Sequence, residues 1–165
     1  MNANARTRAH NTGESIISGV SVGAVFILIG VVFVFAHPGR LWDGIVSFFS
    51  NLTLREVPNL IISLPAPSNP AAHAVVYTAA FQFSIGIGAL QIILLALRLA
   101  MNSPISRTAE TVGNLVYWFG AAYLITLYLG DTTNITQWFT FWSAILVMLG
   151  LSLVARALVL LVKRI

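Results

Sequence analysis

The sequence predicts an all-α integral membrane protein whose four transmembrane helices form an up-down bundle. Of the 165 residues, 58% are hydrophobic and only 8% are charged, whereas soluble domains carry about 25% charged residues. So few charges cannot cover a surface that faces water. Four apolar stretches also approach or exceed the roughly 20 residues that a helix needs to cross the hydrocarbon core. These stretches lie at about 16–36, 74–100, 111–129 and 138–162 and form a single domain.

Basic residues predict the orientation of these spans. Most of the nine Lys and Arg residues flank span ends that would share one side of a membrane, and cytoplasmic segments are enriched in these residues. We therefore expect a plasma-membrane protein with both termini in the cytoplasm. The sequons at Asn51 and Asn134 then lie outside, where they could accept glycans. The flanking basic residues are Arg6, Arg8, Arg98, Arg107, Arg156, Lys163 and Arg164.

The long outer connection between the first two spans contains a further predicted helix. Apolar residues recur at helical spacing over about 41–53, with polar residues on the opposite face. This pattern is typical of an amphipathic helix that lies flat at the membrane surface. A short apolar segment follows at 60–64, too short to cross, and the proline-rich run 65–70 predicts a stiff extended linker.

Polar side chains form a stripe along the second span and a matching stripe along the third. Because a short link makes these spans antiparallel neighbours, the two stripes predict a polar seam between them. We expect an ion pair between Arg98 and Glu110 to close its inner end. Interhelical packing is one interpretation of the seam, and contact with a solute, proton or cofactor is the other. The seam residues are Ser84, Gln91, Arg98, Glu110, Asn114 and Tyr117.

Small residues at helical spacing predict close approach of helices. Gly19 and Gly23 lie one turn apart on the first span, and Gly88 lies on the second. Such residues let helix backbones come close together in a membrane. They predict either tight packing within the bundle or a docking face for another subunit.

Two histidines are weak candidates for a metal or haem site. His37 ends the first span and His73 begins the second, so both are expected at the outer level. The alternative is that they are ordinary interfacial residues. The chain has no Cys, which excludes thiolate ligands and disulfides. We predict no metal and no cofactor apart from lipids.

The order of these elements resembles that of the DoxX family of small four-span membrane proteins. The resemblance lies in a first span, an interfacial helix and a Gly-rich second span with the sequence QFSIGIG at 82–88. That family often carries Glu near the start of this span, where this chain has Gln82. We therefore transfer neither a function nor a site residue from the family.

The sequence favours a non-catalytic subunit that packs in and stabilises a larger membrane complex. That complex could itself be an enzyme. It contains no Gly-rich phosphate loop, zinc motif or nucleophile elbow. The expected partners are lipids and other integral membrane subunits or further copies of the chain, and nucleic acid is not expected. Two alternatives remain open: an oligomeric channel or small-solute transporter that uses the polar seam, and a redox protein that binds quinone or haem.

Overall fold

The computed structural model describes the backbone of residues 3–162 and the side chains of residues 15–162. The side chains of Arg6 and Arg8, together with Lys163 and Arg164, lie outside this part. Within it the chain forms five α-helices, one β-hairpin and a short 3-10 helix. In chain order they are α1 (Ala3–Phe35), α2 (Pro38–Ser50), β1 (Leu52–Glu56), β2 (Ser63–Pro67), the 3-10 helix (Pro70–His73), α3 (Ala74–Ala100), α4 (Ile105–Tyr128) and α5 (Ile135–Val162).

Three helical segments are long and apolar enough to cross a membrane. They are Ser15–Phe35, Pro70–Ala100 and Ile135–Val162. The protein is thus mostly helical with candidate membrane spans, as its composition predicts. The predicted third span, 111–129, overlaps all but the first six residues of α4 and ends one residue beyond it. This helix does not reach the same apolarity because its polar residues, Asn114 among them, lower its hydropathy.

The packing of α4 accounts for its more polar sequence. It lies between α3 and α5 and makes the most extensive helix contacts in the described part of the chain. A Cβ at Gly113 would lie 3.0 Å from the Ser152 carbonyl oxygen and 3.3 Å from Arg156 Cβ, so α4 and α5 are in near-backbone contact. Gly120 gives the Met148 side chain a similarly close approach. Much of the α4 surface therefore faces other parts of the protein.

The long helices form an open row in chain order. α1 packs on α3, α3 on α4, and α4 on α5. The α1–α3 contact is the smallest of the three, and within the described residues α1 has no extensive contact with α4 or α5. A closed up-down bundle would also pair the first helix with the last. The row leaves apolar side chains of α1, such as Phe26 and Phe35, exposed to the surroundings.

A cap, which we define as residues 38–73, covers one end of the helices; we call the opposite end the inner end. In the cap, α2 crosses the helix ends from α1 towards α5. A Cβ at Gly44 would lie 3.3 Å from Val76 of α3, and the Phe48 ring lies 5.8 Å from that of Trp138 at the start of α5. Leu41 is buried. The predicted amphipathic helix at 41–53 thus corresponds to α2, displaced towards the N-terminus.

A β-hairpin that the sequence patterns did not indicate completes the cap. β1 and β2 pair in antiparallel register around a tight turn. The Leu60 amide donates to the Val57 carbonyl at 3.0 Å, and Asn59 adopts a φ of 65° after Pro58. Proline followed by a residue with positive φ is the pattern of a type II turn. Part of the expected proline-rich linker is therefore a strand, and its Ala66 is fully buried.

Substitution of Gly113 tests the contact between α4 and α5. Gly113→Leu should lower the free energy of unfolding by about 1–3 kcal/mol, because the Ser152 carbonyl cannot move aside without shifting a helix backbone. The measurement is denaturation by SDS titration in mixed micelles. Gly150→Leu is the matched control, since nothing lies within 4 Å of a Cβ at Gly150. Equal effects of the two substitutions would contradict the described packing.

Candidate functional site

At the inner end, Arg98 of α3 ties that helix to α4. Its Nη1 donates hydrogen bonds to the Arg107 carbonyl and to the Thr111 hydroxyl. The α3–α4 connection turns around Asn102 and Ser103, and Arg98 and Arg107 are equally far along the chain from this centre. Arg98 is therefore level with Arg107. Sequence reasoning missed Arg107 and Thr111 as its partners, although counting from the centre of the link would have found them.

The expected ion pair between Arg98 and Glu110 is replaced by one within α4. Glu110 lies about 4.5 Å further along the helix axis than Arg107, and its Oε2 is 3.3 Å from Arg107 Nη1. The Arg107 side chain is 57% exposed and the Glu110 side chain is 42% exposed. An exposed pair of this kind contributes about 0–1 kcal/mol. The inner end is thus closed by hydrogen bonds from Arg98 rather than by a salt bridge.

Above Arg98, packing fills much of the predicted polar seam. Ser84 and Gly88 are buried on α3, and Gly88 faces α4. The Ser84 hydroxyl donates to the Ala80 carbonyl of its own helix at 2.8 Å, so it does not reach across. A Cβ at Gly88 would lie 3.1 Å from the Phe119 ring, which therefore occupies the seam at this level. Gln91 is half-buried.

Asn114 lies on the exposed side of α4, together with two charged residues. Arg107, Glu110 and Asn114 are spaced three and four residues apart, so they share one helix face, which we call the α4 polar face. Asn114 is exposed, and none of the side-chain hydrogen bonds in this half of α4 involves it within the described part of the chain. The half-buried Tyr117 continues this face, with its ring 5.4 Å from that of Trp118.

An aromatic cluster fixes the cap to α3 and α5. The Tyr77 hydroxyl donates to the Pro70 carbonyl at 3.0 Å. The His73 ring meets Phe48 edge to face, with 5.2 Å between the ring centroids. Trp138 lies 5.8 Å from Phe48 and 6.3 Å from Tyr77. The cluster thus joins α2, the 3-10 helix, α3 and α5 in one contact.

The two histidines singled out from the sequence have different surroundings. His73 is buried against Phe48, whereas His37 is exposed at the turn between α1 and α2, with a φ of 59°. Residues 15–162 contain no group of three or more His, Asp or Glu placed to hold a metal ion. The metal and haem hypotheses stay predictions.

The glycines of α1 and α3 behave differently. A Cβ at Gly19 or Gly23 would meet nothing within 4 Å, so these two do not pack against any described part of their own chain. By contrast, a Cβ at Gly86 of α3 would collide with Leu28 of α1. Of the two predictions for the first-span glycines, packing within the bundle is therefore not the arrangement observed.

No family model, curated protein or solved structure matches this chain. The resemblance to the DoxX family stays a prediction.

The contacts of Arg98 lead to a test of the inner end. Arg98→Ala should lower the free energy of unfolding by about 2 kcal/mol, because it removes two hydrogen bonds from a charged donor. Glu110→Ala should cost less than about 1 kcal/mol. In SDS titrations, the loss of unfolding free energy in the double variant should equal the sum of the losses in the two single variants within about 0.5 kcal/mol. A larger coupling energy would instead indicate a direct interaction between the two side chains.

The hydrogen bond of Tyr77 leads to a test of the cap. Tyr77→Phe should lower the free energy of unfolding by about 1 kcal/mol, because the Pro70 carbonyl loses its donor. Tyr123→Phe is the control, since Tyr123 is 63% exposed. If both variants unfold at the wild-type SDS fraction, the hydroxyl does not hold the cap in place.

Proposed function

We propose that the protein is a non-catalytic integral membrane subunit that packs against other membrane subunits and stabilises their complex. The α4 polar face is the main contact in this proposal. The outer apolar hairpin and the open glycine face of α1 provide further contacts. Both termini face the cytoplasm, as the basic flanks of the spans favour.

The proposal includes four membrane crossings. α4 packs against α3 on one side and α5 on the other, and both of those helices are long and apolar enough to span. A helix held between two spanning helices crosses the bilayer with them. The lower hydropathy of α4 is compatible with this position because protein covers much of its surface.

The observation that carries the proposal is the exposed amide of Asn114. It lies about 14 Å along the axis from the first residue of α4, which is near the middle of a hydrocarbon core about 30 Å thick. Lipid tails offer no hydrogen bonds, so an amide at this depth is stabilised by a polar group on another helix. No described side chain supplies one. A polar side chain on a partner subunit would supply this hydrogen bond.

Two further surfaces support association. Gly19 and Gly23 leave open space along α1, which suits close approach of a second helix. At the tip of the hairpin, Leu60 and Ile62 are about half exposed and Ile61 is fully exposed. Isolated exposed apolar residues are ordinary, but a contiguous apolar tip is typical of a protein contact.

The test is the size of the assembly that contains the protein after extraction from its native membrane in mild detergent. Wild-type protein should elute in a particle larger than a monomer, measured by light scattering. Asn114→Leu should raise the fraction of monomer, because the amide can no longer pair with its partner. Thr126→Leu, an exposed polar-to-apolar change in the other half of α4, should leave the particle intact.

Two outcomes would contradict the proposal. One is recovery of wild-type protein as a lone monomer. The other is an Asn114→Leu variant that remains in a particle of wild-type size and composition, which would show that the α4 polar face is not the contact. If purified assemblies of wild-type protein alone conduct ions or solutes, the channel alternative gains support instead.

A further inference from the structure

A groove runs along one side of the contact between α1 and α3. A cavity of about 270 Å³ lies at the cap end, and a second cavity of about 280 Å³ lies further towards the inner end. On α3, Thr78 and Gln82 line the first cavity, and Gly86 and Ala89 line the second. These residues are three or four positions apart and share one helix face. The two cavities are therefore sections of one groove.

The section near the cap contains the polar and basic side chains of the groove, set among apolar ones such as Phe35 and Val75. His37 and Arg40 lie at its mouth, and Thr78 and Gln82 line it on α3. Arg40 is exposed and belongs to no ion pair among the described residues. Its guanidinium is thus free to bind an anion at the level of the lipid headgroups.

Gln82 shows how far this polar section extends into the bilayer. It lies about 12 Å along the axis from the first residue of α3, and its side chain is exposed in the groove. Its amide at this depth calls for a hydrogen-bonding partner. The oxygen atoms of a lipid glycerol unit lie just below the headgroup phosphate and would supply one.

The section beyond Gln82 is apolar. It starts about one helical turn further along α3, and small side chains on that helix leave the space open. Its lining residues include Ala24, Ile27, Val31, Ala89, Leu90 and Ile93. The polar and basic groups of the groove therefore lie towards the cap and a purely apolar section lies beyond them, the same order as the headgroup and hydrocarbon chains of a phospholipid.

We propose that this groove binds one anionic phospholipid, with its phosphate on Arg40, its glycerol oxygens at Gln82 and one hydrocarbon chain along α1 and α3. The guanidinium favours a phosphate over a neutral headgroup, because it forms charge-assisted hydrogen bonds with phosphate oxygens. The bound lipid fills the space that the loose α1–α3 contact leaves. This inference does not depend on the proposed role of the α4 polar face.

Native mass spectrometry of delipidated protein, titrated with dioleoyl phosphatidylglycerol in detergent, tests the proposal. One lipid should bind wild-type protein tightly, and dioleoyl phosphatidylcholine should bind more weakly. Arg40→Gln should weaken phosphatidylglycerol binding about tenfold, as loss of a charge-assisted contact predicts. Arg55→Gln is the matched control: it removes the same charge from the cap, at a residue that does not line the groove.

A second pair of variants examines the apolar section. Ala89→Trp should fill the groove and reduce retention of the lipid, whereas Ala157→Trp, at an exposed position on α5, should not. Circular dichroism confirms that each variant is folded. Equal losses for Arg40→Gln and Arg55→Gln would mean that only overall charge attracts lipid, and would overturn the proposal. Equal binding of phosphatidylcholine, or unchanged retention in Ala89→Trp, would also overturn it.

Discussion

The close packing of α4 between α3 and α5 is the constraint on which the rest of the structure depends. Gly113 allows near-backbone contact with α5, and Gly88 accommodates the Phe119 ring on the α3 side. Because it is costly for polar groups to face lipid, neighbours on both sides would stabilise a helix as polar as α4 in the four-span arrangement that we propose. The same packing determines which α4 residues stay exposed, and it leaves Asn114 on the outside.

The cap adds contacts that hold α1, whose own packing against the other long helices is small. α1 has only a small contact with α3 and none of comparable extent with α4 or α5 in the described chain. α2 continues from α1 across the helix ends, and its Phe48 joins the cluster with His73 and Trp138. The cap therefore holds α1 at the edge of the row. It also brings Arg40 to the mouth of the groove between α1 and α3.

Two exposed amides on the long helices have different environments, and we propose a different partner for each. Asn114 stands on an open face of α4 beside an exposed ion pair, where a second helix can approach. Gln82 lines the groove between α1 and α3 near Arg40, which forms no ion pair among the described residues, and there we propose a lipid. Hydrogen bonds in lipid contribute modestly on average, about 0.6 kcal/mol. Polar groups of this kind therefore act chiefly by selecting which partner and which orientation are allowed.

The sequence by itself indicated a mostly helical protein with candidate membrane spans, because hydropathy and helical spacing are local properties. α3 coincides with its predicted range 74–100, and the amphipathic pattern in the outer connection corresponds to α2. It also indicated that Arg98 lies at the inner end of α3. Tertiary structure decided the partner of Arg98. A shift of about one helical turn between α3 and α4 places Glu110 rather than Arg107 level with Arg98, and the sequence does not define the alignment of the two helices that closely. It decided the hairpin too, since the pairing of β1 with β2 across the turn leaves no hydropathy or helical-spacing pattern in the sequence. Which faces stay open follows from how the helices assemble, and no single segment contains that information.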